Sequence, residues 1–208
     1  DEVLDMTAKA FLPPGGGRAV VPIPTYSMYR VVSEQRGATV ALVPRLPAEQ
    51  GWAIDVPAMR AAAREATLVW LCSPNNPTGL AEPPGVVATL LSGLAEDAAA
   101  DGRTPPAVAV DEAYAEFAGD TVLPLRTTYP NLIVIRTASK AYGLAGLRVG
   151  FALAPRATLE HMEPYRPPGS VGTISITVVE QALRDQAALA QTIDRTRTER
   201  ERLAGAMR

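Results

Sequence analysis

The chain has 208 residues, a formal net charge of −2 and a hydrophobic content of 47%. This length favours one globular domain with an ample core, and the slightly acidic balance argues against nucleic acid as a partner. No apolar run approaches the roughly 20 residues of a membrane span, so we expect no membrane partner either.

Strand and helix patterns alternate along the chain. The predicted strands are Arg18–Ile23, Thr39–Val43, Thr67–Cys72, Ala107–Asp111, Leu132–Arg136 and Val149–Ala154. The predicted helices are Asp1–Leu12, Tyr26–Arg36, Val56–Glu65, Pro83–Ala98, Arg156–Met162, Ile174–Arg184 and Ala187–Met207. This alternation predicts an α/β fold in three layers, α/β/α, with a mostly parallel sheet. The range 93–106 contains an Ala/Asp/Gly loop, which we interpret as an insertion.

A loop dense in turn-forming residues, Ser73–Gly79, follows the predicted strand Thr67–Cys72. By itself such a loop favours an ordinary strand-to-helix turn. An asparagine at a strand end is also a neutral hydrogen-bond donor, however, and it could hold an anionic phenolate oxygen without neutralising it. This makes the loop a candidate ligand-binding segment.

The apolar run Ala107–Val110 ends in Asp111, and Glu112 and Tyr114 follow it. An aspartate at this position could keep a pyridine nitrogen protonated, which turns the ring into an electron sink. Tyr114 could reach the same ring from the next turn. A helix N-cap at Asp111, with Glu112 favoured by the helix dipole, accounts for these residues equally well. Both interpretations stay open at this point.

Lysine is rare in this chain, because Lys9 and Lys140 are the only two among 20 basic residues. An ammonium can lose its proton and attack a carbonyl, whereas a guanidinium stays charged. Lys140 also follows the predicted strand Leu132–Arg136, at the edge where open α/β sheets bind ligands. Although most lysines lie on the surface, Lys140 is therefore a candidate Schiff-base nucleophile.

Hydroxyl groups and a guanidinium surround Lys140 in the sequence. Thr137 and Ser139 precede it, and Arg148 follows after two glycines that let the backbone turn tightly. Arginine binds phosphate through two parallel hydrogen bonds, so this stretch is a plausible phosphate site. Taken alone, Arg148 would be interpreted as part of a surface ion pair.

Cysteine and histidine each occur once, as Cys72 and His161. A single cysteine excludes an internal disulfide and fits a reducing compartment, and the first residues do not resemble a signal peptide. We therefore expect a cytoplasmic protein, with Cys72 a small buried hydrophobe. A lone histidine is a poor metal site, so we expect no metal and interpret His161 as structural or exposed.

Together and in this order, the three clusters resemble those of the pyridoxal-phosphate aminotransferases of fold type I. The specific combination is Ser-Pro-Asn-Asn-Pro-Thr-Gly, then Asp-Glu-Ala-Tyr, then Ser-Lys with a later Gly-Leu-Arg. Within that superfamily the chain resembles the histidinol-phosphate aminotransferases most, through Pro24–Tyr29 and Asp111–Phe117. The resemblance covers essentially the whole chain.

The resemblance implies pyridoxal 5′-phosphate (PLP) as cofactor and a role for each residue around its ring. Lys140 would bind the cofactor covalently and then move a proton during the reaction. Asp111 would pair with the pyridinium nitrogen, and Asn76 and Tyr114 would hydrogen-bond the phenolic oxygen. Tyr26 would stack on the ring face, although Tyr26 alone would be interpreted as core packing.

The resemblance also implies how the cofactor's phosphate would be held. Ser139, Arg148 and Thr137 would bind it, together with the N-terminal amides of the helix that opens at Asp1. The peptide bond between Asn76 and Pro77 is implied to be cis, against a base rate of about 5–6% for X–Pro bonds.

Members of this superfamily have an N-terminal arm before the first helix and a smaller C-terminal domain. The resemblance therefore implies that residues 1–208 are the PLP-binding large domain, without the arm and without the small domain that binds the substrate's α-carboxylate. It further implies a homodimer with two active sites at the interface.

The implied activity is transamination between a small-molecule amino-acid substrate and 2-oxoglutarate. Histidinol phosphate is the favoured donor, which would give imidazole-acetol phosphate and glutamate in histidine biosynthesis; an aromatic amino acid comes next. A decarboxylase of a phosphorylated amino acid would use the same Lys140 and Asp111. A non-enzymatic alternative is an inactive PLP-binding module, against which the intact Lys140, Asp111 and Asn76 argue.

Overall fold

The computed structural model describes residues 1–207. The strands are β1 Arg18–Ile23, β2 Thr39–Pro44, β3 Leu68–Cys72, β4 Ala107–Asp111, β5 Leu132–Thr137 and β6 Gly150–Leu153. The α-helices in this range are α1 Glu2–Phe11, α2 Met28–Gln35, α3 Val56–Ala62, α4 Val86–Ala100, α5 Ala115–Ala118, α6 Arg156–Met162, α7 Thr173–Arg184 and α8 Gln186–Ala206. None of these helices is long and apolar enough to cross a membrane.

The strands form one sheet in the order β2-β1-β3-β4-β5-β6. All neighbouring pairs are parallel except β5 and β6, which are antiparallel, so the predicted mostly parallel α/β sheet is confirmed. The chain leaves β1 towards β2 on one side, whereas β3 and the later strands lie on the other. In open α/β sheets ligands bind at such a switch point, beyond the carboxyl ends of the strands.

Both faces of the sheet are covered, which completes the three layers. In β3 the side chains of Leu68, Trp70 and Cys72 pack into one core cluster, with residues of α1, α2 and α6. Val69 and Leu71 point to the opposite face, into a second cluster with residues of α3 and α4. This alternation is the two-residue period of a strand, and burial of both faces explains why β3 is apolar throughout.

The loop predicted within residues 93–106 is shorter than expected, because α4 continues to Ala100. Its last turns are rich in alanine, the strongest helix former. Gly93 is accommodated because the side chain of Arg60 crosses it: a Cβ at Gly93 would lie 2.6 Å from Arg60 Cδ. Arg60 then reaches Asp97 with two hydrogen bonds of 2.9 Å each.

A buried ion pair between Arg45 and Glu82 joins three loops at the carboxyl edge of the sheet. The side chains are only 1% and 2% exposed. Arg45 donates to the carbonyl oxygens of Pro24, at 3.2 Å, and Trp52, at 3.0 Å. Glu82 Oε2 accepts from the amide of Ile54 at 3.0 Å. The pair therefore holds the segments that follow β1, β2 and β3 against each other.

Glu82→Gln is expected to lower the free energy of unfolding by about 3–5 kcal/mol, because Arg45 would remain buried without a counter-charge. Urea denaturation would show this as a lower midpoint at an unchanged slope. The matched control is Glu34→Gln, which breaks the exposed pair of Arg30 and Glu34 and should cost less than about 1 kcal/mol. Equal losses of unfolding free energy in the two variants would contradict the stabilising role of the Arg45–Glu82 pair.

Candidate active site

One cavity of about 370 Å³ opens at the carboxyl edge of the sheet. Its wall brings together every site residue that the sequence predicted: Asp1, Tyr26, Asn76, Asp111, Tyr114, Thr137, Ser139, Lys140 and Arg148. These residues end or follow β1, β3, β4 and β5 or open α1, so the parallel sheet aligns segments that are far apart in sequence.

Asp111 is the last residue of β4 and is buried. Its Oδ1 accepts a hydrogen bond from the amide of Ala113 at 3.0 Å, and its Oδ2 accepts one from the Tyr29 hydroxyl at 2.9 Å. Burial raises the pKa of Asp111, while these two hydrogen bonds act in the opposite direction. The next helix, α5, has Tyr114 as its N-cap, so the N-cap interpretation of Asp111 is wrong and its carboxylate remains at the cavity wall.

Lys140 lies just beyond β5, with its side chain exposed to the cavity. Its Nζ is 5.3 Å from the centroid of the Tyr114 ring, which is cation–π distance. Between residues 1 and 207, no carboxylate lies within salt-bridge distance of Lys140, whereas Lys9 pairs with Asp5 at 2.7 Å. The two lysines thus differ in whether their charge is already neutralised.

The segment from Thr137 to Arg148 folds back on itself beside Lys140. Thr137 Oγ1 donates to the carbonyl of Val149 at 3.1 Å and accepts from the amide of Ser139 at 3.1 Å. Arg148 adopts a left-handed conformation with φ of 56° and donates to the carbonyl of Ala145 at 2.9 Å. Thr137 therefore orients the backbone at Ser139, and the turn keeps Ser139 and Arg148 on the wall that the first residues of α1 complete.

Tyr26 forms another part of the wall. Its ring meets that of Tyr29 edge-on, with centroids 5.7 Å apart and planes at 82°, a favoured aromatic geometry. Its hydroxyl donates to Asp1 Oδ1 at 3.1 Å. Tyr26 is thus both packed against the core, as the alternative interpretation required, and presented to the cavity.

The two adjacent asparagines have different surroundings. Asn75 is buried, and its amide nitrogen donates to the carbonyl of Pro24 at 3.1 Å and to Thr78 Oγ1 at 3.0 Å. The Asn76 side chain lines the cavity and makes no hydrogen bond to another residue in the range 1–207. The peptide bond between Asn76 and Pro77 is cis, as predicted.

A charged cluster centred on Arg136 lies at the cavity wall and was not predicted from the sequence. This guanidinium donates to Glu112 at 2.8 Å and to Glu116 at 2.8 Å, and Glu112 also accepts from the amide of Val122 at 2.6 Å. Burial opposes the charge, but the two carboxylates raise the pKa of Arg136 overall. Its charge is therefore neutralised locally, which leaves Lys140 and Arg148 as the cations facing the cavity in the described part of the chain. The only local signal was Glu112, directly after Asp111.

The family model for aminotransferase class I and II matches residues 1–208. The chain belongs to the aminotransferase class I and II family. It is 39% identical to the histidinol-phosphate aminotransferase of Limosilactobacillus fermentum, over 96% of this chain and 55% of that protein. The chain spans about half the length of the curated relatives it matches.

Solved structures agree with this assignment to the aminotransferase family. A putative histidinol-phosphate aminotransferase from Erwinia carotovora atroseptica has a TM-score of 0.85 and 26% identity, over 99% of this chain and 58% of that one. The Sinorhizobium meliloti histidinol-phosphate aminotransferase, solved in complex with pyridoxal-5′-phosphate, has a TM-score of 0.84 and 28% identity, over 97% and 52%. The α/β fold described above is thus that of PLP aminotransferases.

Proposed function

We propose that the chain binds PLP in this cavity and performs transamination as the large domain of an aminotransferase. The observation that carries the proposal is a set of polar side chains that face one cavity without a hydrogen-bond partner in the described residues. In the range 1–207, the side chains of Asn76, Ser139 and Lys140 make no hydrogen bond to another residue, yet all three line the cavity beside the buried Asp111. These groups match the needs of PLP: an amine can condense with its aldehyde, a carboxylate can pair with its pyridine nitrogen, and neutral donors can hydrogen-bond its phenolic oxygen.

The chemistry that PLP supplies when bound is an aldehyde for condensation with amines and a ring that withdraws electrons. Lys140 Nζ would hold the cofactor and would then accept the proton from the substrate's Cα. Asp111 would keep a proton on the ring nitrogen. Asn76 and Tyr114 would donate to the phenolic oxygen, and Tyr26 would pack against the ring face.

The phosphate would be held by further residues of the cavity wall. Ser139 and Arg148 would donate to it, and the amides at the start of α1 would add the positive end of the helix dipole. Thr137 would contribute through the Ser139 backbone, because its own hydroxyl proton is already donated to Val149. The charged cluster around Arg136 would hold Glu112 and, with it, the loop that carries Tyr114.

Histidinol phosphate is the proposed amino donor and 2-oxoglutarate the acceptor, giving imidazole-acetol phosphate and glutamate. The support is the similarity to relatives named histidinol-phosphate aminotransferase at 34–40% identity. The test mixes the purified protein, PLP and both substrates and measures glutamate. We expect a higher kcat/KM with histidinol phosphate than with phenylalanine or tyrosine. A preference for an aromatic amino acid would contradict histidinol phosphate as the amino donor. Release of carbon dioxide from O-phosphothreonine would indicate a decarboxylase instead. Cofactor binding without turnover would indicate a non-enzymatic binding module.

A homodimer is also proposed for the protein. The apolar side chains of α7 that are exposed in the isolated chain support it: Ile174 is 78%, Ile176 44% and Val178 40% exposed. Such surface favours association, and a two-fold dimer is the commonest homo-oligomer. Light scattering of the purified protein should give twice the mass of one chain; a monomer that transaminates at full rate would contradict the proposal.

A further inference from the structure

Tyr29 is a buried polar residue that the roles proposed so far do not use. It lies in the first turn of α2, and its side chain is inaccessible to solvent. Its hydroxyl nevertheless donates to Asp111 Oδ2 at 2.9 Å, across 82 residues of sequence. A buried phenol of this kind requires a partner for its hydroxyl, and the partner here is the carboxylate expected to face the cofactor's ring nitrogen.

The ring of Tyr29 is fixed on two sides. It stacks on Trp70, with centroids 5.3 Å apart and planes at 18°, and it supports Tyr26 edge-on. Ser33 links the stack, because its hydroxyl donates to the Tyr29 carbonyl at 2.7 Å and accepts from Trp70 Nε1 at 3.1 Å. The hydroxyl of Tyr29 is therefore directed at Asp111 by a rigid, buried aromatic cluster.

Other titratable groups around Asp111 explain why a fixed donor matters. Burial raises the pKa of Asp111, and the neighbouring charge of Glu112 acts in the same direction. The Cys72 thiol is also close, and burial raises its pKa to about 11, so that it stays neutral. Burial and the charge of Asp111 likewise raise the pKa of Tyr29 well above its ordinary value, so Tyr29 remains a hydrogen-bond donor.

We propose that Tyr29 is a positioning residue that fixes the Asp111 carboxylate in its ionised form and in one orientation, while its ring supports Tyr26 from behind. One side chain thereby holds two parts of the cavity wall. The catalytic use of this positioning rests on the proposed PLP site. The effect of Tyr29 on the titration of Asp111 does not require the cofactor. Core packing alone would need the ring of Tyr29 and not its hydroxyl, and this difference is testable.

The test compares Tyr29→Phe, which keeps the ring and removes the hydroxyl, with wild type. In the cofactor-free chain labelled with ¹³C at aspartate carboxyl carbons, the Asp111 signal is assigned by its absence in Asp111→Asn. Its titration midpoint should move to higher pH in Tyr29→Phe, because a hydrogen bond to the charged form has been lost. A 3-fluorotyrosine at position 29, with a more acidic hydroxyl, should move the midpoint to lower pH.

The matched control is Ser33→Ala, which removes two hydrogen bonds from the same cluster and leaves the Tyr29 hydroxyl on Asp111. It should lower stability without moving the Asp111 midpoint. An unchanged midpoint in Tyr29→Phe, or equal midpoint shifts in Tyr29→Phe and Ser33→Ala, would overturn the positioning role.

Cofactor binding provides the second measurement. PLP affinity, followed by quenching of tryptophan fluorescence, should weaken about tenfold in Tyr29→Phe, the effect of one lost hydrogen bond to a charged group. With ¹⁵N-labelled PLP bound, the pyridine nitrogen should be less protonated than in wild type. If wild type itself fails to bind PLP, the proposed function falls, while the carboxyl titration still decides the role of Tyr29.

Discussion

Lys140→Ala is expected to lower transamination by at least about 10⁴-fold, the upper end of what a single acid–base group contributes. The loss should be this large because the same amine would both hold the cofactor and move the substrate proton, and arginine cannot substitute for it. The visible absorbance of the cofactor-loaded protein should also change, because the covalent link to Lys140 would be absent. Retention of both colour and turnover would show that Lys140 is not the reactive amine.

The chain provides its own control, since Lys9 is the only other lysine. Lys9 lies on α1, in a partly exposed i,i+4 pair with Asp5, and i,i+4 helix pairs contribute only about 0.3–0.5 kcal/mol. Lys9→Ala should therefore keep both the absorbance and the rate. A similar loss in both variants would point to damage to the fold and not to chemistry at Lys140.

Asp111→Asn is expected to lower turnover by about 10²-fold or more, while the variant still folds and binds PLP. The physical reason is electrostatic: a neutral amide does not stabilise a positive charge on the ring nitrogen, and electrons are then no longer drawn into the ring. Steady-state kinetics would show the loss in kcat. Equal kcat in variant and wild type would remove the electron-sink role of Asp111.

The negative charge of Asp111 should favour activity but oppose stability, because burial disfavours the charged form of this carboxyl group. Burial holds the pKa of Asp111 above its ordinary value, so the stability from this group is present below the ordinary aspartate pKa of about 3.9 and is lost as the pH rises through the raised value. Relative to Asp111→Asn, the wild type should therefore lose stability as the pH rises above about 4.

Asp97→Asn is the matched control for this pH dependence, because Arg60 lowers the pKa of Asp97. Stability from Asp97 is present above the ordinary aspartate pKa and is lost as the pH falls through the lowered value. Asp97→Asn should reduce stability near neutrality and leave kcat unchanged, since Asp97 lies on α4 away from the cavity. If the stability of the two variants changed with pH in the same direction, the opposite pKa shifts assigned to Asp111 and Asp97 would be contradicted.

The sheet was predictable because its strands are short, apolar and buried on both faces. β1, β4 and α6 begin and end where the sequence predicted. One misplaced boundary is that of α4, which was predicted as Pro83–Ala98 and spans Val86–Ala100, because its alanine-rich last turns continue the helix. Within α4, Arg60 occupies the space of the side chain that Gly93 lacks, and nothing in the local sequence indicates that contact.

The site residues other than Asp1 were identifiable because each of them ends a strand or follows one, and parallel strands present their carboxyl ends at one edge. The rarity of lysine singled out Lys140, and the order of three short clusters distinguished this family from an ordinary α/β domain. Residue types and their positions relative to the strands were sufficient for this. They did not reveal Arg136, because its partners Glu112 and Glu116 lie 24 and 20 residues away in sequence.

The sequence by itself determined the α/β class, the family resemblance and the nine predicted site residues, all of which line the cavity. Only the tertiary structure decided which polar side chains already have a hydrogen-bond or ion-pair partner within the protein. Tyr29 donates to Asp111, Asn75 but not Asn76 is committed to the core, and Arg45 pairs with Glu82. The physical reason is that burial and hydrogen bonding between distant segments depend on how the layers pack, and a buried polar group must find its partner wherever the fold brings one within reach.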